Sequence, residues 1–366
     1  MVQPRTPSRT GGNQSKTILI RIAAGGNSED DRTGAGHASL ALRYSGGTVD
    51  KKFYQDLLDQ MSDGVYFVTL DRRITYWNGG AERITGYSAE EVLGHSCAEG
   101  ILRHVNGAGR QLCVQGCPLL AVVKDGKPRE AHVYLHHKDG QRVPVTVRSQ
   151  ALRDSDGEIV GSVEVFSTRE VNPYAGTRQD RKDASLDSVT GLVSRRFGEM
   201  HLQTFMQAVS EHATTLGVLY VDADHFKDVN DTFGHKTGDE VLRMVSQTLV
   251  NALRRGDIPV RWGGEEFLAL LPGIDDAGLA VVAERVRMLV ENSWIQQGET
   301  QVRVTVSVGA TMAVPAEGPD DVADRADRLM YTSKRAGRNR VTTDTGPLAS
   351  AAERPILGTA IPWETT

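Results

Sequence analysis

Cysteine is scarce: Cys97, Cys113 and Cys117 are the only three in 366 residues. Their C-x15-C-x3-C spacing, with no fourth cysteine, matches no common zinc or ferredoxin pattern. No apolar run reaches membrane-spanning length, and the amino terminus has no signal-peptide core, so no membrane partner and a cytoplasmic location are expected. Charge is nearly balanced, and a net −5 argues against nucleic acid as the main partner. Residues 1–49 and 343–366 read as disordered; the first stretch is rich in Gly, Ser, Thr and charge. What is left is ordinary globular composition, 39% hydrophobic and 24% charged, long enough for two domains that each bury a core.

The most informative stretch is Gly263-Gly264-Glu265-Glu266-Phe267. Strand-like runs flank it, Ile258 to Trp262 before and Phe267 to Leu271 after, so the glycines mark a hairpin turn and the acids open its second strand. Adjacent strand residues point to opposite faces, so Glu265 and Glu266 are expected to diverge. A solvated hairpin tip would look much the same, and other segments must decide.

Leu216 to Val221 is an apolar strand that runs into Asp222-Ala223-Asp224-His225-Phe226-Lys227-Asp228-Val229-Asn230-Asp231. Acids at the carboxyl end of a strand are where α/β sheets place ligand groups, and Lys227 lies close by for an anion. Hard oxygen donors beside a cation suggest magnesium-nucleotide chemistry. An Asp-rich helix cap explains Asp228 and Asp231 equally well, but an acid ending so apolar a strand needs a partner.

Five blocks in register carry a resemblance. They are Asp187-Ser188-Val189-Thr190-Gly191-Leu192 through Arg196, Asp222 to Asp231, Phe233-Gly234-His235-Lys236-Thr237-Gly238-Asp239, the Arg261 to Phe267 turn, and Thr305 to Ala310 with Ala326 to Asn339. Together they resemble the GGDEF domain of diguanylate cyclases in its GGEEF form, with Val189 and Ser194 in place of the usual Leu and Asn. The resemblance implies a five-stranded mixed sheet ringed by helices, related to nucleotide cyclase and polymerase palm domains. It further implies two magnesium ions (Mg2+) per site, held by Asp222, the carbonyl of Ala223, Glu265 and Glu266, with Glu265 a candidate base. Asn230 and Asp239 would read the guanine edge of GTP. Phe226, Lys227, Gly263, Gly264, Lys334 and Arg338 would complete the substrate site, the last two being expected on one helix face. The implied reaction joins two GTP into cyclic di-GMP across a homodimer. Arg254-Arg255-Gly256-Asp257 matches the family's R-x-x-D inhibitory motif, so Arg254 and Asp257 would bind product; a helix end is the plain alternative.

Helical spacing is legible in Leu242, Val245, Leu249 and Leu253, behind a capping box read at Thr237 to Glu240, and again in Leu279, Val282, Val286 and Leu289. Val302, Val304, Val306 and Val308 alternate as one half-buried strand. Strands alternating with helices make this half α/β (α+β).

The first half differs. Gly64 to Val68 and Ile74 to Asn78 read as a hairpin, and Asp139-Gly140 and Asp156-Gly157 as two further turns. Asn78, Ala81, Ile84, Thr85, Gly86-Tyr87 and Glu91-Val92-Leu93-Gly94 follow the PAS sensor pattern, which implies an antiparallel-sheet sensor domain. Expected bounds are 50–170 for the PAS domain, 171–186 for a linker or short polar helix, and 187–342 for the cyclase domain. All three cysteines fall in the PAS half, and with His104 they are candidate ligands for haem, an iron–sulfur centre or another metal, or form a redox pair; small buried hydrophobes and no ligand are the other reading. His136 and His137 read as exposed strand histidines. An apolar coiled-coil seam is scarcely visible in the linker, so coupling through PAS dimerisation is the expectation. The competing functional reading is a catalytically silent GTP or cyclic di-GMP receptor.

Overall fold

The computed structural model describes residues 51–97, 99–169, 185–212 and 214–348. The tail before residue 50, the tail from 349 on and nearly all of the linker expected from sequence lie outside these residues. Residues 343–348, expected to belong to the disordered tail, instead extend the second half: Thr343 ends one strand, and Gly346–Pro347 pair against it because the chain turns back on itself there. Among the described residues no helix is long and apolar enough to cross a membrane.

The first half runs α1 (Lys51–Asp59), β1 (Gly64–Thr69), β2 (Ile74–Trp77), α2 (Gly79–Thr85), α3 (Ala89–Val92), α4 (Pro118–Asp125), β3 (Arg129–His136), β4 (Arg142–Arg153) and β5 (Ile159–Thr168). The strands form one antiparallel sheet in the order β2-β1-β5-β4-β3. Gly140 and Gly157 turn the two later hairpins at φ 98° and 86°, a region that side chains resist. Asn78 fixes the start of the domain: it is wholly buried, its Oδ1 accepts from Val65 N and Ala81 N at 2.8 Å each, and its Nδ2 donates to the carbonyls of Leu58 and Asp63. One side chain thus caps α2 and pins it to β1.

The second half runs β6 (Val193–Ser194), α5 (Arg195–His212), β7 (Leu216–Ala223), α6 (Phe226–Phe233), α7 (His235–Ala252), β8 (Ile258–Arg261), β9 (Glu266–Pro272), α8 (Asp276–Glu291), β10 (Ile295–Gln297), β11 (Thr300–Val302), β12 (Val306–Met312), α9 (Pro319–Arg335), β13 (Val341–Thr343) and β14 (Gly346–Pro347). Its sheet is ordered β14-β13-β12-β7-β9-β8-β6, which is the expected five strands, β13 to β8, with a two-residue strand added at each edge. β12–β13 and β6–β8 pair parallel and the other neighbours antiparallel. Every residue of β7 is buried. Leu219, Val221 and Ala223 pack in the core formed with α7 and α8, while Leu216, Val218 and Tyr220 pack in the core formed with α5 and α9. Asp222 belongs to the second set by alternation and therefore faces α9.

Three local readings change. α7 begins at His235 behind Gly234 at φ 82°, so Thr237 lies inside the first turn and is no cap. The four alternating valines do not form one strand: Val302 ends β11, which pairs in a separate hairpin with β10, Val304 lies between strands, and Val306 and Val308 belong to β12. His136 is 2% exposed, not a surface histidine: its ring stacks on Trp294 at 3.5 Å between centroids.

That stack belongs to a packed junction between the two halves, where Val105 and Tyr134 join the apolar core of α7 and α8. We expect Asn78→Ala to lower unfolding stability by about 2–4 kcal/mol, because two buried N–H groups lose their acceptor; chemical denaturation monitored in the PAS half measures it.

Candidate active site

The site is built where β7 ends between its neighbours. In the ladder Asp222 stands opposite Glu266 of β9 on one side and Ser307 of β12 on the other. The carbonyl of Glu265 accepts from Ala223 N at 3.1 Å, so the turn after β8 is tied to the strand that carries Asp222. On the α9 side, Lys334 Nζ lies 2.7 Å from Asp222 Oδ2. Burial pushes the Asp222 carboxyl up to about 6; Lys334 opposes that rise, and the charges of Glu265 and Glu266 add to it. Tyr220, two residues back on the same face, is also raised, by burial and then by Glu266. Three carboxylates with one ammonium leave surplus negative charge at a half-closed site, the donor chemistry that a hard divalent cation matches. Among the described residues no trio of His, Cys, Asp or Glu side chains already converges on one point.

Arg261 holds the glycine turn. Its Nε and Nη2 donate to the carbonyls of Gly263 and Gly264 at 3.1 and 2.6 Å, and its Nη1 to Asp187 Oδ1 at 2.8 Å. Asp187 Oδ1 also accepts from Thr190 N and Oγ1. Burial alone would raise the Asp187 carboxyl, yet the hydrogen bonds from Arg261 and Thr190 outweigh it and hold it low. The opening D-x-x-T-G block is thus the brace of the signature turn, a link that sequence distance concealed.

Asn230 lies on α6 and Asp239 on α7. The Asn230 amide lies against Gly238, so close that any Cβ there would collide with its Oδ1. Asp239 is partly exposed and has Arg243 at 3.8 Å. Phe226 is buried with its ring against Gly238, and Lys227 is exposed.

Two placements differ from expectation. α9 ends at Arg335, and Arg338 follows in a left-handed turn with φ 65°, so it shares no helix face with Lys334. The helix stops there because Gly337 takes φ 111° and Arg338 N closes back on the Ser333 carbonyl. Asp224 is saturated rather than open to a ligand: Thr305 Oγ1 and Ser307 Oγ each donate to it at 2.7 Å, and Asn339 N at 3.1 Å. The alternation of Thr305 and Ser307 was the available signal for that clamp.

Arg254 and Asp257 pair with each other. Asp257 is 1% exposed and accepts from Arg254 N and Nε at 3.0 and 3.1 Å, while Arg254 Nη2 reaches the Pro272 carbonyl. Burial raises the Asp257 carboxyl against the pull of Arg254.

In the PAS half, Cys97, His104, Cys113 and Cys117 do line one cavity, with Tyr66 and Glu164. Its volume is ≈ 10 Å³, space for no more than a water. Haem and an iron–sulfur cluster do not fit. His104 Nε2 is buried without a hydrogen-bond partner and lies 3.9 Å from Glu164 Oε1. Glu164 itself accepts from Tyr66 and Ser149. Burial pushes His104 down, Cys97 up, and Cys113 up to about 11, so the thiols of Cys97 and Cys113 are neutral.

The Asp222 shift gives a signed expectation. An acid raised from 3.8 to about 6 in the fold binds more protons folded than unfolded between those values, so its contribution falls as pH rises from 4 to 6 and stays low above. Asp222→Asn is therefore expected to raise the Tm of cation-free protein by a few degrees at pH 7–8, with the gain fading towards pH 4 in a thermal melt series.

A family model described as diguanylate cyclase, GGDEF domain, matches residues 184–340, and a PAS domain model matches residues 62–167. Response regulator PleD of Caulobacter vibrioides is 38% identical over 162 residues, covering 43% of this chain and 36% of that protein. Diguanylate cyclase A of Treponema denticola is 38% identical over 152 residues, 41% of each chain. A probable diguanylate cyclase, DgcE of Escherichia coli, is 29% identical over 313 residues, 84% of this chain and 27% of that protein. The chain thus spans less than half the length of these relatives. Residues 184–340 belong to the GGDEF family of diguanylate cyclase domains, and residues 62–167 to the PAS family.

Proposed function

We propose that this chain is a PAS-regulated diguanylate cyclase that condenses two GTP into cyclic di-GMP and two pyrophosphates. The observation that carries the reading is the acidic end of β7, with Asp222 set between Glu266 and Lys334 and raised by burial and, less, by both glutamates.

Asp222, the Ala223 carbonyl, Glu265 and Glu266 would hold two magnesium ions. When bound, these ions supply charge stabilisation for an in-line phosphoryl displacement. Glu265 takes the proton from the 3'-hydroxyl of one GTP as that oxygen forms a bond to the α-phosphorus of the other; the bond to pyrophosphate breaks, and a second round closes the ring. The Asp239 carboxylate accepts from the ring and exocyclic N–H groups of guanine and the Asn230 amide bonds along the same edge, with Gly238 leaving space for the Asn230 side chain. Lys227, Lys334 and Arg338 bind the triphosphate, and Gly263 and Gly264 let its backbone approach closely. Each site holds one GTP, so two chains must face each other, and their alignment supplies much of the rate. GTP, cyclic di-GMP and a second copy through both domains are the proposed partners, in the cytoplasm. The complete donor set disfavours a silent receptor.

Product inhibition follows from the Arg254 pair. Arg254 is the exposed member and presents its guanidinium to a product phosphate, and buried Asp257 orients it.

Purified full-length protein with GTP and magnesium is expected to yield cyclic di-GMP on chromatographic separation, and Glu265→Ala/Glu266→Ala to yield none. No product from either, with GTP still bound, would overturn the reading. Arg254→Ala is expected to raise the inhibitory product concentration about tenfold or more, as loss of a charged hydrogen bond worth about 1.5–3 kcal/mol implies; unchanged inhibition would remove Arg254 from that role.

A further inference from the structure

The end of α8 joins the PAS half to the nucleotide site. Its C-cap is Asn292, whose carbonyl is free of the helix ladder and accepts from Nε and Nη2 of Arg142, the first residue of β4 in the PAS sheet. Arg142 is 1% exposed, and its Nη1 donates at 2.5 Å to the carbonyl of Arg103. A guanidinium at a helix carboxyl terminus is held by both the open carbonyl and the helix dipole. Asn251 of α7 donates to the Arg142 carbonyl, Gln111 reaches the Asn292 side chain, and Trp294 stacks on His136 with Arg103 and Arg142 against its ring. The PAS half therefore grips the last turn of α8 from several sides.

That turn holds the other partner. Glu291 Oε1 accepts from Asn339 Nδ2 at 2.8 Å, and Arg287 Nη1 donates to both Glu291 Oε2 and Asn339 Oδ1. Asn339 follows Arg338 directly, both in left-handed backbone, and Asn339 N donates to Asp224 Oδ2 beside the metal-binding strand end. The guanidinium of Arg338 extends from a turn whose next residue, Asn339, is tied to α8 by its side chain and to Asp224 by its backbone.

We propose that Arg142 and Asn339 are positioning residues for the triphosphate: the PAS domain holds the end of α8, α8 holds Asn339, and Asn339 fixes Arg338. The inference rests on the assignment of Arg338 to the triphosphate. The segment that brings Arg103, Val105 and Gln111 to the cyclase half also brings His104 and Cys113 to the thiol cavity, so a change in that cavity has a short covalent route to α8. An asparagine beside the triphosphate-binding arginine, tied through Glu291 and Arg287 to the helix end that the PAS half holds, is a contiguous coupling path of packed and bonded groups.

The test measures affinities of full-length protein for a non-hydrolysable GTP analogue and for GMP, which keeps guanine and lacks the polyphosphate. Arg338→Ala should erase most of the preference for the triphosphate; if the wild type has no preference, or Arg338→Ala keeps it, the site assignment fails and the inference with it. With that established, Arg142→Ala and Asn339→Gly, which retains the left-handed backbone, should each cut analogue affinity about 5- to 20-fold and leave GMP affinity unchanged. Arg142→Lys should recover part of the loss. Full triphosphate preference in Asn339→Gly and in Arg142→Ala, or equal weakening of both ligands, overturns the inference. Should Arg142→Ala fail to fold, Asn339→Gly alone decides.

Discussion

The register of β7 against β9 is the constraint on which the rest depends. It sets Asp222 opposite Glu266 at the buried end of the central strand and brings the Glu265 carbonyl to Ala223 N. A one-residue slip would exchange the two faces of the strand, sending Asp222 into the apolar core against α7 and α8, away from Lys334, and turning Leu219, Val221 and Ala223 out of that core. The apolar residues of β7 fix the register from both faces, so core packing determines where the acids meet. The fold thereby keeps a group that costs it stability, since burial and two glutamates raise Asp222 while Lys334 offsets only part.

Around that strand the polar side chains act as braces. Arg261 joins the glycine turn to Asp187, and Thr305, Ser307 and Asn339 saturate Asp224. The acids at this strand end thus differ in kind: Asp224 has its hydrogen bonds filled by the chain, whereas Asp222 has one ammonium and two like charges. That contrast distinguishes the two acids more sharply than sequence position does.

Much of this was legible in the sequence, because motif residues lie at strand ends and turns that local chemistry specifies. The hairpin at Gly263, the strand ending at Asp222, the helical stripes of α7 and α8 and the PAS hairpins follow from alternation, spacing and turn residues. The failures have physical causes. The helix face assumed for Lys334 and Arg338 broke because Gly337 ends α9, and the single strand of valines divided because β10 captures Val302. His136 reads as exposed from sequence because much of its cover is distant: the Tyr87 hydroxyl meets its Nδ1 within the PAS half, and Trp294, 158 residues away, stacks on its ring. The clustering of Cys97, His104, Cys113 and Cys117 was anticipated, but the size of the cavity they enclose was not, since volume is a property of packing.

The central claim is that Asp222 is a raised, cation-binding carboxylate at the heart of the site. Calorimetric titration of magnesium into full-length protein carrying a non-hydrolysable GTP analogue, in buffers of different ionisation enthalpy, reads the protons released. Relative to Asp222→Asn, the account predicts weaker magnesium binding in the variant and an excess release of about half a proton per Asp222 in the wild type at pH 6, vanishing at pH 8. Equal affinity in both proteins, or no difference in proton release at pH 6, would contradict it.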